Sequence, residues 1–239
     1  AHQLRGTATY TNIEMDDVQG ATLTENISLS GNLTLTNGNI TIGNYDLSLA
    51  SASTIGGTPS VSAMIITNGT GQLIKTFAAN NTPAFTFPIG DNTGDTEYSP
   101  VTIDFSAKAN IGNLGVRVIN AKHPDNAAAN NFISRYWLFT ETSAGTYTYT
   151  ATYNYPVADV TGTEEPSFQL QRWNGATWTT DLASVNDAST HILTSGTLNE
   201  TTGTLNNNAF SAYQIDLYYW SRVGSFNWDQ LAGWEVTTN

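Results

Sequence analysis

The oxygen donors of the run Asp91-Asn92-Thr93-Gly94-Asp95-Thr96-Glu97 are the densest set of chemistry-bearing side chains in the sequence. A hard cation such as calcium takes about six to eight oxygens, supplied by carboxylates, amides and carbonyls on a turning backbone. Asp91, Asn92, Asp95 and Glu97 are therefore the candidate calcium ligands, with Gly94 allowing the turn. Their spacing is not that of an EF-hand loop, and the competing reading is a solvated acidic turn between two strands. Calcium is the one cofactor this sequence suggests.

Trp173 and Trp178 flank Asn174-Gly175, a pair of residues suited to a hairpin turn. An exposed indole offers a flat apolar face on which a sugar ring can stack, so these two are candidate glycan contacts. Packing in a core is the competing reading. Glu164-Glu165 stands before Pro166 between two apolar segments and reads as a solvated loop, because adjacent side chains on extended backbone diverge. His2, His123 and His191 are too scattered to suggest a metal site. There is no Gly-x-Ser-x-Gly elbow and no phosphate loop. No catalytic residue is assigned, and enzyme activity is not expected.

Composition narrows the class further. Twenty acidic residues against eight basic ones give a formal charge of −12, which leaves little to neutralise phosphates and argues against nucleic acid as a partner. Only 12% of residues are charged, about half the usual share, and Thr, Asn, Ser and Gly take the polar positions. Cysteine is absent, so there is neither a disulfide framework nor a thiol nucleophile. No run of about 18 apolar residues is present to span a membrane. The start Ala1-His2-Gln3 is compatible with a mature terminus after removal of a signal. Together these features suggest a secreted or surface protein.

The elements that would position the candidate residues are all extended. From Ile27 onward the apolar residues come in alternating pairs, Ile27/Leu29, Leu33/Leu35, Ile40/Ile42 and Leu47/Leu49, starting 6, 7 and 7 residues apart. Alternation of this kind means strands with one buried face. Gly31-Asn32, Asn37-Gly38 and Gly43-Asn44 punctuate them. The even spacing fits short stacked turns of a β-solenoid. Asn37-Gly38 also fits a hairpin in a β-meander, pairing Leu35 with Ile40. From about Ile111 the strands lengthen and become aromatic: GVRVINA, SRYWLFT, TYTYTATYNY, SFQLQRW, THILTSG and AFSAYQIDLYYW, with turn signals between them, as in an antiparallel sandwich. Tyr147, Tyr149 and Tyr153 share one parity and should line one face. The stretch His123–Asn131 holds the sole candidate helical turn. Residues 218–239 are dense in aromatics, with Tyr218, Tyr219, Trp220, Phe226, Trp228 and Trp234, a composition that must pack somewhere.

Three stretches, GNLTLTNGNITIGNYDLSLASASTIGG, IITNGTGQLIKTF and FPIGDNTGDTEYSPVTIDFS, resemble the repeat-bearing exported proteins of Bacteroidetes, the large cell-surface and adhesin-like proteins that use type IX secretion. The second half is similar to the immunoglobulin-like domain of such proteins, and YYWSRVGSFNWDQLAGW resembles the segment opening their next repeat. The resemblance implies an extracellular or cell-surface location in a Gram-negative bacterium.

The expected fold is all-β: a solenoid-like or meandering domain over residues 1–104, an immunoglobulin-like β-sandwich over 105–217, and an aromatic C-terminal strand segment over 218–239. The expected function is an extracellular structural protein, a subunit of a surface filament that assembles head to tail. Its tail would act as intersubunit donor strand, anchored by Tyr218, Tyr219, Trp220, Phe226, Trp228 and Trp234. The alternative is an adhesin or carbohydrate-binding module of a larger secreted protein, touching surface glycans through Trp173 or Trp178.

Overall fold

The computed structural model describes residues 2–6, 9–79, 83–108, 112–142, 145–163, 165–201, 203–215, 217–221 and 234–238. It is all-β, and its N-terminal part is a stack of solenoid-like turns. The first turn carries β1 (His2–Leu4), β2 (Thr9–Tyr10) and β3 (Ile13–Asp16). The second carries β4 (Ala21–Leu23), β5 (Ile27–Leu29) and β6 (Leu33–Asn37), and the third β7 (Ile40–Thr41), β8 (Leu47–Leu49) and β9 (Ile55–Gly57). The next turn adds β10 (Ile65–Ile66) and β11 (Leu73–Thr76). Each strand lies parallel to its counterpart one turn later, forming three faces: β1-β4-β7-β10, β2-β5-β8-β11 and β3-β6-β9. On the first face His2 stands opposite Ala21, Ala21 opposite Ile40 and Ile40 opposite Ile65, so a turn takes 19 residues and later 25.

The apolar pairs point into this stack. Ile27, Leu29, Leu33, Leu35, Ile40, Ile42, Leu47 and Leu49 are at most 1% exposed, and full burial of each such side chain contributes about 1.5–3 kcal/mol. The hairpin reading of Asn37-Gly38 is overturned. Leu35 pairs with Gly57 and Ile40 with Ala21 and Ile65, in different faces, so Asn37-Gly38 is a corner between faces. Gly38 has φ +87, and a Cβ there would lie 1.8 Å from the Asp17 carbonyl of the turn below. A hairpin turn and a tight corner both favour glycine here, which is why the dipeptide alone does not separate them.

Asparagine side chains hold the corners in register. Asn12 Oδ1 accepts from the Asn32 backbone N–H at 2.7 Å, and Asn32 Oδ1 accepts from Thr54 N–H at 3.1 Å and Thr54 Oγ1 at 3.0 Å. On a second corner Asn26 accepts from Asp46 N–H, and Asp46 from Gln72 N–H. These ladders satisfy corner N–H groups that have no strand partner, one turn to the next. Lys75, 2% exposed, points inward from β11 and donates to the carbonyls of Ala50, Ser51 and Ser53 at 2.6, 2.9 and 2.8 Å.

The remaining strands are β12 (Phe85–Phe87), β13 (Ile89–Asp91), β14 (Glu97–Tyr98), β15 (Val101–Lys108), β16 (Asn113–Ile119), β17 (Phe132–Ile133), β18 (Tyr136–Thr142), β19 (Tyr147–Asn154), β20 (Val160–Thr161), β21 (Gln169–Trp173), β22 (Trp178–Asp181), β23 (Val185–Asp187), β24 (Ile192–Thr194), β25 (Leu198–Glu200) and β26 (Asn208–Tyr213). β13 continues the first solenoid face beside β10, and β14 folds back on it. The second solenoid face does not stop at β11. β16 pairs antiparallel with it, Leu73 opposite Val116, and the sheet runs on through β18 and β26 to β17 and β20, with β21 and β22 attached to β26. A second sheet, β12-β15-β19-β24-β23 with β25 beside β19, faces it.

The two sheets meet through rings. Trp137 of β18 lies 5.0 Å from Tyr153 of β19, and Phe210 of β26 stacks on the same Tyr153 at 5.7 Å. Tyr147, Tyr149 and Tyr153 all face inward, each at most 3% exposed. The apolar core is one cluster from Met15 to Ala212. The expected boundary between residues 104 and 105 falls inside β15, and in place of the expected helical turn within His123–Asn131 there is one tight turn at Pro124-Asp125, with no helix. Two short 3-10 turns stand instead at Val157–Asp159 and Glu165–Ser167. After β26, β27 (Leu217–Ser221) and β28 (Trp234–Thr238) pair antiparallel with each other, Ser221 opposite Trp234, as a separate two-stranded sheet.

Candidate functional sites

Asp91 and Glu97 stand directly opposite each other in the β13–β14 pair, so their side chains leave on the same face. That face is turned toward Arg135, which is 0% exposed just ahead of β18. Arg135 Nη1 donates to Asp91 Oδ2 at 2.5 Å, Nη2 donates to Glu97, and Nε donates to Asp159 from the Val157–Asp159 turn. The Thr93 N–H donates to the other Asp91 oxygen at 2.9 Å, and Asn120 Nδ2 to Glu97 at 3.0 Å. One guanidinium thus joins the last solenoid strands to the second half of the chain.

This arrangement gives the four candidate calcium donors different surroundings. One oxygen each of Asp91 and Glu97 accepts from Arg135, the other Asp91 oxygen accepts from Thr93 N–H, Asn92 Oδ1 accepts from Asn68 Nδ2 at 2.9 Å, and Asp95 is exposed. Among the described residues no group of three or more His, Cys, Asp or Glu side chains is placed to hold a metal ion. Two of the loop's carboxylates, Asp91 and Glu97, are aimed inward at Arg135.

Three carboxylates around one guanidinium leave the cluster short of positive charge. Burial pushes the Glu97 carboxyl above its ordinary value; Arg135 pulls it back only in part, and Asp159 and Asp91 add repulsion. Asp159 is raised for the same leading reason, with Arg135 opposing.

Trp173 and Trp178 are cross-strand partners at the end of the β21–β22 hairpin, closed by a turn in which Gly175 has φ +93. Trp173 stands opposite Ala209, the neighbour of the inward-facing Phe210, so it lies on the face away from the second sheet. Both indoles are half-buried there, centroids 5.4 Å apart and tilted by 46°. They are not core residues, unlike Trp137. His123 is buried against them, 4.9 Å from Trp178 and 5.7 Å from Trp173, and 4.7 Å from Tyr136. Burial lowers the His123 pKa, with Asp125 opposing. Trp178 Nε1 donates to the Asp125 carbonyl at 2.8 Å.

A third cluster had no signal in the sequence. Glu165 Oε1 lies 2.7 Å from Tyr155 Oη and 2.7 Å from His191 Nδ1, and Asn186 Oδ1 lies 2.8 Å from the same hydroxyl. His191 has φ +55, an uncommon backbone state for a non-glycine residue. The cluster fastens the Glu165–Ser167 turn to β23 and the start of β24. Its members are 26 and 10 residues from Glu165 in sequence, so spacing offers no clue. Glu165 is therefore bonded rather than solvated, while Glu164 lies outside the described residues. His2 bonds Asp17 at 2.8 Å in the exposed first corner. Of the tail anchors, Tyr218, Tyr219 and Trp220 fall in β27 and Trp234 in β28; Phe226 and Trp228 lie outside the described residues. No protein-family model, no curated protein and no solved structure matches this chain.

Proposed function

We propose that the chain is a non-catalytic structural unit of an extracellular bacterial surface, assembling head to tail into a filament through its C-terminal segment. The observation that carries this reading is the first solenoid turn. Within the described residues β1, β2 and β3 each pair on one side only, with β4, β5 and β6. Three parallel strand edges at one end of the stack are a template for further pairing. At the other end of the chain, β27 and β28 are already strand-shaped and belong to neither large sheet. Because they pair with each other, the donor is read as the edge of a hairpin rather than a lone strand. A contact between two different surfaces does not close on itself, so its repetition builds a fibre. The two facing sheets of the second half are read as an immunoglobulin-like sandwich that spaces the solenoid ends. The cell-surface location and Gram-negative source follow from the resemblance in the repeat segments.

The test is electron microscopy and analytical ultracentrifugation of the full chain and of a chain ending at Asp216. Concentration-dependent filaments from the full chain and a monomer from the shortened one support the reading. A shortened chain that still polymerises, or a full chain that stays monomeric at every concentration, overturns it.

A further inference from the structure

We propose that the outer face of the second half carries a binding site for a neutral pyranose glycan, formed by the indoles of Trp173 and Trp178 and the carboxylate of Asp125. The indoles are cross-strand partners on the outer sheet face, their centroids 5.4 Å apart and their planes tilted by 46°, and both keep part of their surface exposed. Tyr213 packs its edge against Trp178 at 5.8 Å, and the buried His123 ring lies behind both indoles. The ring faces are therefore held in place before any ligand arrives, which saves the ordering cost of binding.

Asp125 is brought to the rim by two local bonds. Its N–H donates to His123 Nδ1 at 3.2 Å, and the Asn126 N–H donates to the His123 carbonyl at 2.9 Å, closing the turn. The Asp125 carbonyl takes the Trp178 indole N–H. Its carboxylate stays 55% exposed, with the His123 ring 3.8 Å away.

A pyranose presents C–H groups on one face and hydroxyls around its edge. The electron-rich indole face takes the C–H groups, and a carboxylate at the rim accepts hydrogen bonds from adjacent hydroxyls, the stronger for being charged. The rim charge and the net charge of −12 favour a neutral sugar over a uronate or a sulfated one. A purely structural role for the indole pair calls on the Asp125 backbone carbonyl, whereas its carboxylate is exposed at the rim beside the His123 ring.

The experiment is a fluorescence and calorimetric titration of the full chain with four neutral hexasaccharides: cello-, laminari-, manno- and chitohexaose. Saturable binding of at least one is expected. Asp125→Asn should weaken it about tenfold or more, the loss of a charge-assisted hydrogen bond, with the thermal midpoint unchanged. Trp178→Ala should abolish it; if that variant does not fold, Trp178→Phe, which keeps a smaller ring, should weaken binding and stay folded. No saturable binding by any of the four overturns the proposal. So does binding that Asp125→Asn and the Trp178 variants leave untouched, or equal binding of an oligogalacturonate of the same length.

Discussion

Replacing Arg135 by methionine probes the joint between the two halves of the chain. The guanidinium is 0% exposed, and the carboxylates of Asp91, Glu97 and Asp159 are 2%, 13% and 6% exposed. Methionine fills much of the space but leaves three carboxylates without their counter-charge, and removing one partner of a buried ion pair costs about 3–5 kcal/mol. For a chain of this length that corresponds to a fall in unfolding midpoint of about 6–20 °C. The pH dependence is the sharper signature. Glu97 and Asp159 sit above their ordinary values of 4.5 and 3.8 in the native protein, so the folded state holds their protons more tightly than the unfolded state does. Folding therefore gains from these two groups as pH falls from the raised values toward the ordinary ones. Without Arg135 the attraction that opposes burial is gone, and both values rise further. The deficit of Arg135→Met is then complete above those values and shrinks as pH falls through them, because a neutral carboxyl needs no guanidinium. Differential scanning calorimetry of both proteins from pH 8 down to pH 4 measures this. A deficit that is the same at every pH, or below about 1 kcal/mol at neutral pH, where a solvated surface pair would fall, would refute the reasoning.

Gly38→Ala should destabilise far more than Gly43→Ala in urea denaturation. Both glycines have positive φ, but a Cβ at Gly38 meets the Asp17 carbonyl at 1.8 Å and one at Gly43 meets nothing within 4 Å. The Gly43 variant should lose only the left-handed backbone cost of about 1–2 kcal/mol. Lys75→Met should lower stability by about 1–3 kcal/mol, since it strips the Ala50, Ser51 and Ser53 carbonyls of a buried donor; an unchanged urea midpoint would count against a closing role for this ammonium. Asn32→Ala should cost about 1 kcal/mol through the lost bonds to Thr54, with amide exchange accelerated first at Thr54. Added calcium should leave the unfolding midpoint where it is, because Asp91 and Glu97 already face Arg135; a rise with calcium that Asp95→Asn removes would establish the cation site.

The strands and their buried faces were legible in the sequence because alternation is a local property. Ile27 to Leu49 turn inward as their spacing requires, and Tyr147, Tyr149 and Tyr153 line one face as their parity requires. The even repeat pointed to stacked turns for the same reason: three short faces make one turn, and 6, 7 and 7 residues fill it. Local rules could not say whether Asn37-Gly38 joins paired strands or rounds a corner, since both need a residue that tolerates positive φ. Only the neighbour one turn below, Asp17 against Gly38, decides it. The same limit governs the sites. Trp173 and Trp178 were legible as a pair because a hairpin brings them together across a short turn. Arg135 lies 44, 38 and 24 residues from its three carboxylates, and no spacing announces that Asp91 and Glu97 will be desolvated and turned toward it. Side-chain parity is set by backbone geometry within a few residues, whereas the partner of a buried charge is set by which distant strands share a core.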